Sequence, residues 1–170
     1  MPEKSASEEV GLAARHHLAQ VNIGVLRAPL DAPEIGEFVA ALVPINALAD
    51  AAPGFIWRLQ TEDGDATAIR AFDDDRVIVN MSVWTTLDAL ADYVFGTEHA
   101  AFLRRRREWF TKMREVSVAL WWVPAGHLPT VDEAKQRLEL LHRDGPSARA
   151  FTFREPFPPP ASAERPLATS

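Results

Sequence analysis

No cysteine occurs in the chain. Disulfides, thiolate catalysis, zinc–cysteine sites and iron–sulfur clusters are therefore excluded. No apolar run approaches the ~20 residues of a membrane-spanning helix. The opening MPEKSASEEV is polar and acidic and no signal-peptide core follows it, so the expected location is the cytoplasm. No basic excess is present either. The formal net charge is -6 over 170 residues, with Asp and Glu spread along the chain, which argues against a general nucleic-acid binder. The single basic run, residues 104–107, spreads around a helix rather than forming a stripe; only Arg106 falls on an apolar face, where it would pair with a buried carboxylate or a ligand anion. No repeat of solenoid length recurs. No His or carboxylate spacing suggests a transition-metal site, and the neighbours Asp73, Asp74 and Asp75 read as a solvated loop.

What is present is a hydrophobic fraction of 47% with five Trp, ample for one packed core. No composition break divides the middle. The expected organisation is a flexible N-terminus at 1–14, one domain at 15–154 and a flexible tail at 155–170, EPFPPPASAERPLATS, whose prolines lack amide donors.

Alternation of apolar and polar residues predicts strands at 17–27, 55–60, 76–84 and 117–123. Helical spacing of Ile35, Phe38, Val39, Leu42 and Ile45 predicts a first helix, with Asp31 as cap, Pro33 in the first turn and a kink or break at Pro44. Leu87, Leu90 and Val94 mark a second helix after Thr85 or Thr86. Thr97 caps a third, carrying His99, Phe102, Leu103, Arg106, Phe110 and Met113. Thr130 and Glu133 have the spacing of a capping box, opening a last helix that Gly145-Pro146 stops. The order is that of a ferredoxin-like α+β domain, βαββαβ, with an added C-terminal helix.

One strand face collects Val21, Ile23, Val25, Phe55, Trp57, Leu59, Val77, Val79, Met81 and Val83 and is expected under the two helices. The other collects Gln20, Asn22, Leu26, Ile56, Arg58, Gln60, Ile78, Asn80, Ser82 and Trp84. Such a mixed face makes a poor solvent surface. A twofold-related copy would bury it, so a homodimer is expected; a monomer whose C-terminal segment covers that face is the alternative.

The segments LAQVNIG, PGFIWRLQTEDG, FDDDRVIVNMSVW, FLRRRREWF, LWWVPAGHLPTVDEAKQRLELL and AFTFREPF resemble a bacterial domain-of-unknown-function family, number 3291, over residues 18–157. That family is similar to the dimeric α/β-barrel superfamily, which also holds antibiotic-biosynthesis and haem-degrading monooxygenases. The resemblance implies the fold and the dimer, favours a pocket between sheet and helices over one inside the barrel, and gives no reaction. Haem-degrading members use an Asn on the first strand, then a Trp and a His in one helical region. Asn22 fills the first place, but the Trp place falls near Tyr93 and the His place near Leu103, with His99 a turn too early. That triad is not reproduced, so no cofactor is expected, haem being the one exception left open.

The candidate site residues follow. His99, kept neutral by burial, would act as a general base or an axial haem ligand; a hydrogen-bonded core or cap histidine is the alternative. Asn22, Arg58 and Asn80 are mid-strand polar groups that would orient a carbonyl or carboxylate, or else link two copies. Trp57, Trp84, Trp121 and Trp122 offer flat walls for an aromatic substrate, or serve as packing; Trp121 and Trp122 point to opposite faces. Tyr93 enters by the resemblance, and His127 by its place in a proline-flanked loop. The expected function is that of a small-molecule-binding protein acting on an apolar aromatic compound as a cofactor-independent monooxygenase-like enzyme or an isomerase or cyclase. The alternative is a non-catalytic module that binds a hydrophobic ligand or haem.

Overall fold

A computed structural model describes residues 15–61, 64–65, 67, 72–113 and 116–160. The N-terminal 1–14 and most of the 155–170 tail lie outside them.

Four strands form: β1 (His16–Val25), β2 (Phe55–Arg58), β3 (Val77–Trp84) and β4 (Val118–Pro124). They lie in the order β2-β3-β1-β4, with every neighbouring pair antiparallel. Helix α1 (Gly36–Ala51) follows a short 3-10 turn (Pro33–Ile35) and joins β1 to β2. Helices α2 (Leu87–Gly96), α3 (Glu98–Arg104) and α4 (Arg106–Trp109) join β3 to β4, and α5 (Val131–Asp144) follows the sheet. This is the ferredoxin-like arrangement with one added helix.

Local chemistry sets several helix ends. Thr86 Oγ1 accepts from the Ala89 amide at 3.0 Å, and Thr97 Oγ1 from the His99 amide at 3.2 Å, each satisfying a free first-turn donor. Thr130 caps α5 through the Glu133 amide at 3.1 Å. The Glu133 side chain does not return to complete a box. It turns to Trp121 and His127 instead. Gly145, at φ 74°, ends α5 with its amide on the Leu141 carbonyl, a conformation glycine adopts without Cβ strain.

Several expectations are corrected. Asp31 does not cap the first helix, whose entry has Ala32 at the cap position and no side-chain bond. Helix α1 runs through Pro44 unbroken. The third helical segment ends at Trp109, because Phe110 turns extended and bridges to Leu26. Arg106 is exposed rather than on a buried stripe; Arg105 makes the ion pairs, with Glu37 and Glu108, and lies over the Trp109 ring.

The largest correction concerns the faces of the sheet. The apolar face, Ala19, Val21, Val79, Met81, Val83, Trp121 and Val123, packs with Ala134, Leu138 and Leu141 of α5. The mixed face lies under the other helices. There Leu18, Trp84 and Leu120 join Ala49 of α1 and Leu90 and Tyr93 of α2, while Leu26 joins Phe38 and Trp109. Apolar richness was the wrong guide, because it does not say which element does the covering. Most of the mixed face is covered from within the same chain, so the open surface that motivated pairing narrows to the region of Asn22 and Asn80.

Phe55 and Trp57 do not share a face either. The β2–β3 register shifts between them, setting Phe55 against Trp84 and Trp57 against Val83. An extra residue in one strand reverses the alternation beyond it. Past 154 the chain stays in contact with the domain, as the Phe157 carbonyl accepts from Trp122 Nε1 at 2.8 Å.

Candidate functional site

The helix-covered positions of the two central strands pair as Leu18 with Trp84, Gln20 with Ser82, Asn22 with Asn80 and Gly24 with Ile78. The first pair is fully buried in the cluster built on α1 and α2. Ile78, at the other end, packs on the cluster of Leu26, Ile35, Phe38 and Trp109. Between the two clusters runs a strip of amides and one hydroxyl.

The inner half of this strip is closed and satisfied. Gln20 Nε2 donates to Ser82 Oγ and to Asn80 Oδ1, each at 2.8 Å, and Trp84 Nε1 donates to the same Ser82 oxygen at 2.8 Å. Gln20 and Ser82 are buried. A buried polar group without a partner costs ~1–3 kcal/mol, so this network is what lets polar side chains sit beneath helices. The outer half differs. Asn22 and Asn80 face each other mid-sheet, yet both are exposed. The helical layer leaves a gap over them. Because Asn80 Oδ1 already receives Gln20, its amide N–H groups are the part left for another molecule.

His99 joins the two clusters from the helical side. Its ring lies 5.0 Å from that of Tyr93 and 6.3 Å from that of Phe102. Nδ1 stands 3.2 Å from the Val94 carbonyl, which only accepts; Nδ1 therefore carries the proton, and Nε2 is the basic nitrogen. Burial pulls the imidazole pKa below its usual value, against a smaller opposing effect of the Val94 bond. The ring is thus neutral at pH 7. Tyr93 stacks on Trp84 at 5.1 Å and donates its hydroxyl to the Ile45 carbonyl at 3.2 Å. Burial, opposed by Arg58 and reinforced by Asp50, pushes its phenol up to about 12.

The profile of the family described as "Domain of unknown function (DUF3291)" matches residues 17–167. The chain belongs to this family. Among curated proteins nothing matches. Similar solved structures include SnoaB, a cofactor-independent oxygenase from Streptomyces nogalater, at 20% identity over 67% of this chain and 98% of that one, TM-score 0.44. They also include NE2512, a protein of unknown function from Nitrosomonas europaea (14%, 69% and 98%, TM-score 0.43). A third is the monooxygenase ActVA-Orf6 of Streptomyces coelicolor in complex with nanaomycin D (16%, 69% and 95%, TM-score 0.40).

In this DUF3291 domain, Asn22, Asn80 and Trp84 lie on the strip, Tyr93 stacks on Trp84, and His99 packs on Tyr93. The other expected residues are engaged elsewhere. Arg58 is spent on Asp50, with bonds of 2.7 and 3.2 Å, and on the Gly64 carbonyl at 2.6 Å. Trp57 and Trp121 belong to the face under α5, where Trp121 Nε1 donates to Glu133 at 3.2 Å. Trp122 shares the strip's face but sits on edge strand β4 against Phe151 and Phe157. Trp121 and Trp122 therefore do point to opposite faces.

His127 is exposed and paired to Glu133 at 2.8 Å. Burial raises the Glu133 pKa, but the bonds from His127 and Trp121 outweigh it and hold the carboxyl below its usual range. This pairing forms a loop-to-helix tie remote from the strip. Sequence reasoning passed over Gln20 and Ser82, although alternation already set them beside Asn22 and Asn80. Among the described residues no three His, Asp or Glu gather to hold a metal, and no helix is long and apolar enough to cross a membrane.

Proposed function

We propose that this DUF3291 domain binds a flat apolar small molecule carrying a carbonyl or hydroxyl group in the gap between sheet and helices, and that His99 withdraws a proton from it. The observation that carries this is the exposed Asn22–Asn80 pair, mid-sheet on the covered face, between two apolar clusters. A site with apolar walls and a few convergent polar groups suits such a ligand. Asn22 and the donor end of Asn80 meet its oxygen, and Trp84–Tyr93 forms one wall. His99, neutral at pH 7 with Nε2 basic, takes the proton of an acidic C–H or O–H. The imidazolium and the ligand anion then balance, with the anion's charge on the oxygen held by the amides. Proton removal of this kind opens isomerisation and cyclisation, and also cofactor-independent monooxygenation, in which the anion reacts with dioxygen.

For the homodimer implied by the family resemblance, the uncovered sheet face narrows to the region of Asn22 and Asn80. The second reading, a non-catalytic binder of a hydrophobic ligand or haem, draws on the same apolar walls and on a His99 held as a helix-end histidine by Val94.

The test uses a hydroxynaphthoquinone as probe, with binding read by quenching of tryptophan fluorescence. Asn22→Leu with Asn80→Leu is expected to weaken binding about tenfold or more, since a polar ligand atom loses its partners. His99→Gln is expected to keep binding and lose solvent-deuterium exchange into the probe. Unchanged affinity in the double variant refutes the site. Absence of exchange in the unmodified protein leaves the binder reading, and a Soret band in the purified protein would favour haem.

A further inference from the structure

The position after Asn22 on the same face of β1 is Gly24, and its space is filled by another residue. A Cβ built on Gly24 would stand 2.6 Å from Phe110 Cδ1 and 2.7 Å from Cε1, inside any tolerable contact. Gly24 is not among the positive-φ glycines, so backbone conformation is no reason for it; the reason is room for an aromatic ring. Phe110 is delivered there by its backbone. It bridges to Leu26, while the Arg27 amide donates to the Trp109 carbonyl and the Thr111 amide to the Val25 carbonyl, each at 2.8 Å. Its ring meets Phe38 edge-on at 5.2 Å.

We propose that Phe110, seated on Gly24, is the end-stop of the amide strip and sets the length of ligand that fits there. This rests on the reading of the strip as a ligand site given above. The other end is closed by the buried Gln20–Ser82 pair and, behind it, by Trp84, which cannot yield easily. Its Nε1 is tied to Ser82, and its ring is held between Phe55 at 5.4 Å and Tyr93 at 5.1 Å. The Phe110 ring has no polar tether and is held only by apolar packing on Gly24, Phe38 and their neighbours, so it is the end where size is decided. One same-face step along a strand is ~7 Å. Removing the ring therefore opens the strip from the amide pair toward Leu26 by enough for a further fused ring. The ligand class that fits behind the intact stop is a short fused aromatic of two rings, with longer linear systems turned away.

The experiment compares dissociation constants of a two-ring hydroxynaphthoquinone and a linear three-ring hydroxyanthraquinone. The proteins are the unmodified chain, Phe110→Ala, and Phe110→Leu, which keeps the cluster around Phe38 filled should the alanine variant fail to fold, each also made with Asn22→Leu. The unmodified protein is expected to prefer the two-ring probe. Phe110→Ala is expected to shift the preference toward the three-ring probe by about tenfold or more, and Phe110→Leu by less, with two-ring binding little changed. An unchanged preference in folded variants, while two-ring binding still depends on Asn22, overturns the end-stop and leaves the site standing. No Asn22-dependent binding of either probe, in the unmodified protein and in the variants alike, overturns the site and the end-stop with it.

Discussion

The chain holds a single tyrosine, and it lies in the wall of the proposed site, so an alkaline titration of the phenolate band reads Tyr93 alone. The phenol is 8% exposed, sandwiched between Trp84 and His99, with its hydroxyl on the Ile45 carbonyl. Ionising it would put a charge into an apolar wall and turn its donor into an acceptor facing an acceptor. The expected native midpoint is about 12, against 10.0 for an unperturbed tyrosine. That difference corresponds to roughly 3 kcal/mol of preference for the neutral form.

The folded pKa is the raised one, so the linked stability is whole below about 10 and is lost as the pH climbs through about 12. Burial is the largest cause, with Arg58 and Asp50 acting in opposite senses, so added salt should move the midpoint little. The assay is a rapid pH-jump titration of the native protein beside the same titration in denaturant. Coincident native and denatured midpoints would refute the claim that this wall is dry, and with it the apolar character assigned to the site.

His99 supplies a second pH signature at the acid end. Its folded pKa is depressed, so stability is complete above the unfolded value near 6.5 and falls as the pH drops below it, when only the unfolded chain takes up the proton readily. Melting temperatures between neutral and mildly acidic pH should show this fall, and His99→Gln should flatten it; identical slopes would show that another group titrates. Ser82→Ala removes the oxygen that receives both Gln20 and Trp84, leaving the indole N–H without a partner, and is expected to cost ~1–3 kcal/mol in urea unfolding. A change below ~0.5 kcal/mol would mean the buried network contributes nothing.

Local signals were legible residue by residue. Alternation in VNIGV and VIVNMSV marked β1 and β3 and set Asn22 and Asn80 on one face, as the register confirms. Thr97 and Thr130 announced their helices because a hydroxyl before a helix satisfies an amide a few residues on, and Gly145 announced its stop because only glycine takes that φ cheaply. These are short-range effects, written in adjacent residues.

Tertiary structure alone decided which layer covers which face. Alternation shows which side chains share a surface, but the partner of that surface is chosen by packing across long stretches of chain. Thus α5 took the apolar face, and the mixed face with its amides went under α1 and α2. The shift between Phe55 and Trp57 exists only relative to β3. The proton on His99 Nδ1 is set by the Val94 carbonyl, and the empty side chain of Gly24 has meaning only because Phe110, far along the chain, lies on it. The residue types of the site were therefore fixed by the amino-acid order, while its openness, its walls and its length came from contacts that no local pattern encodes.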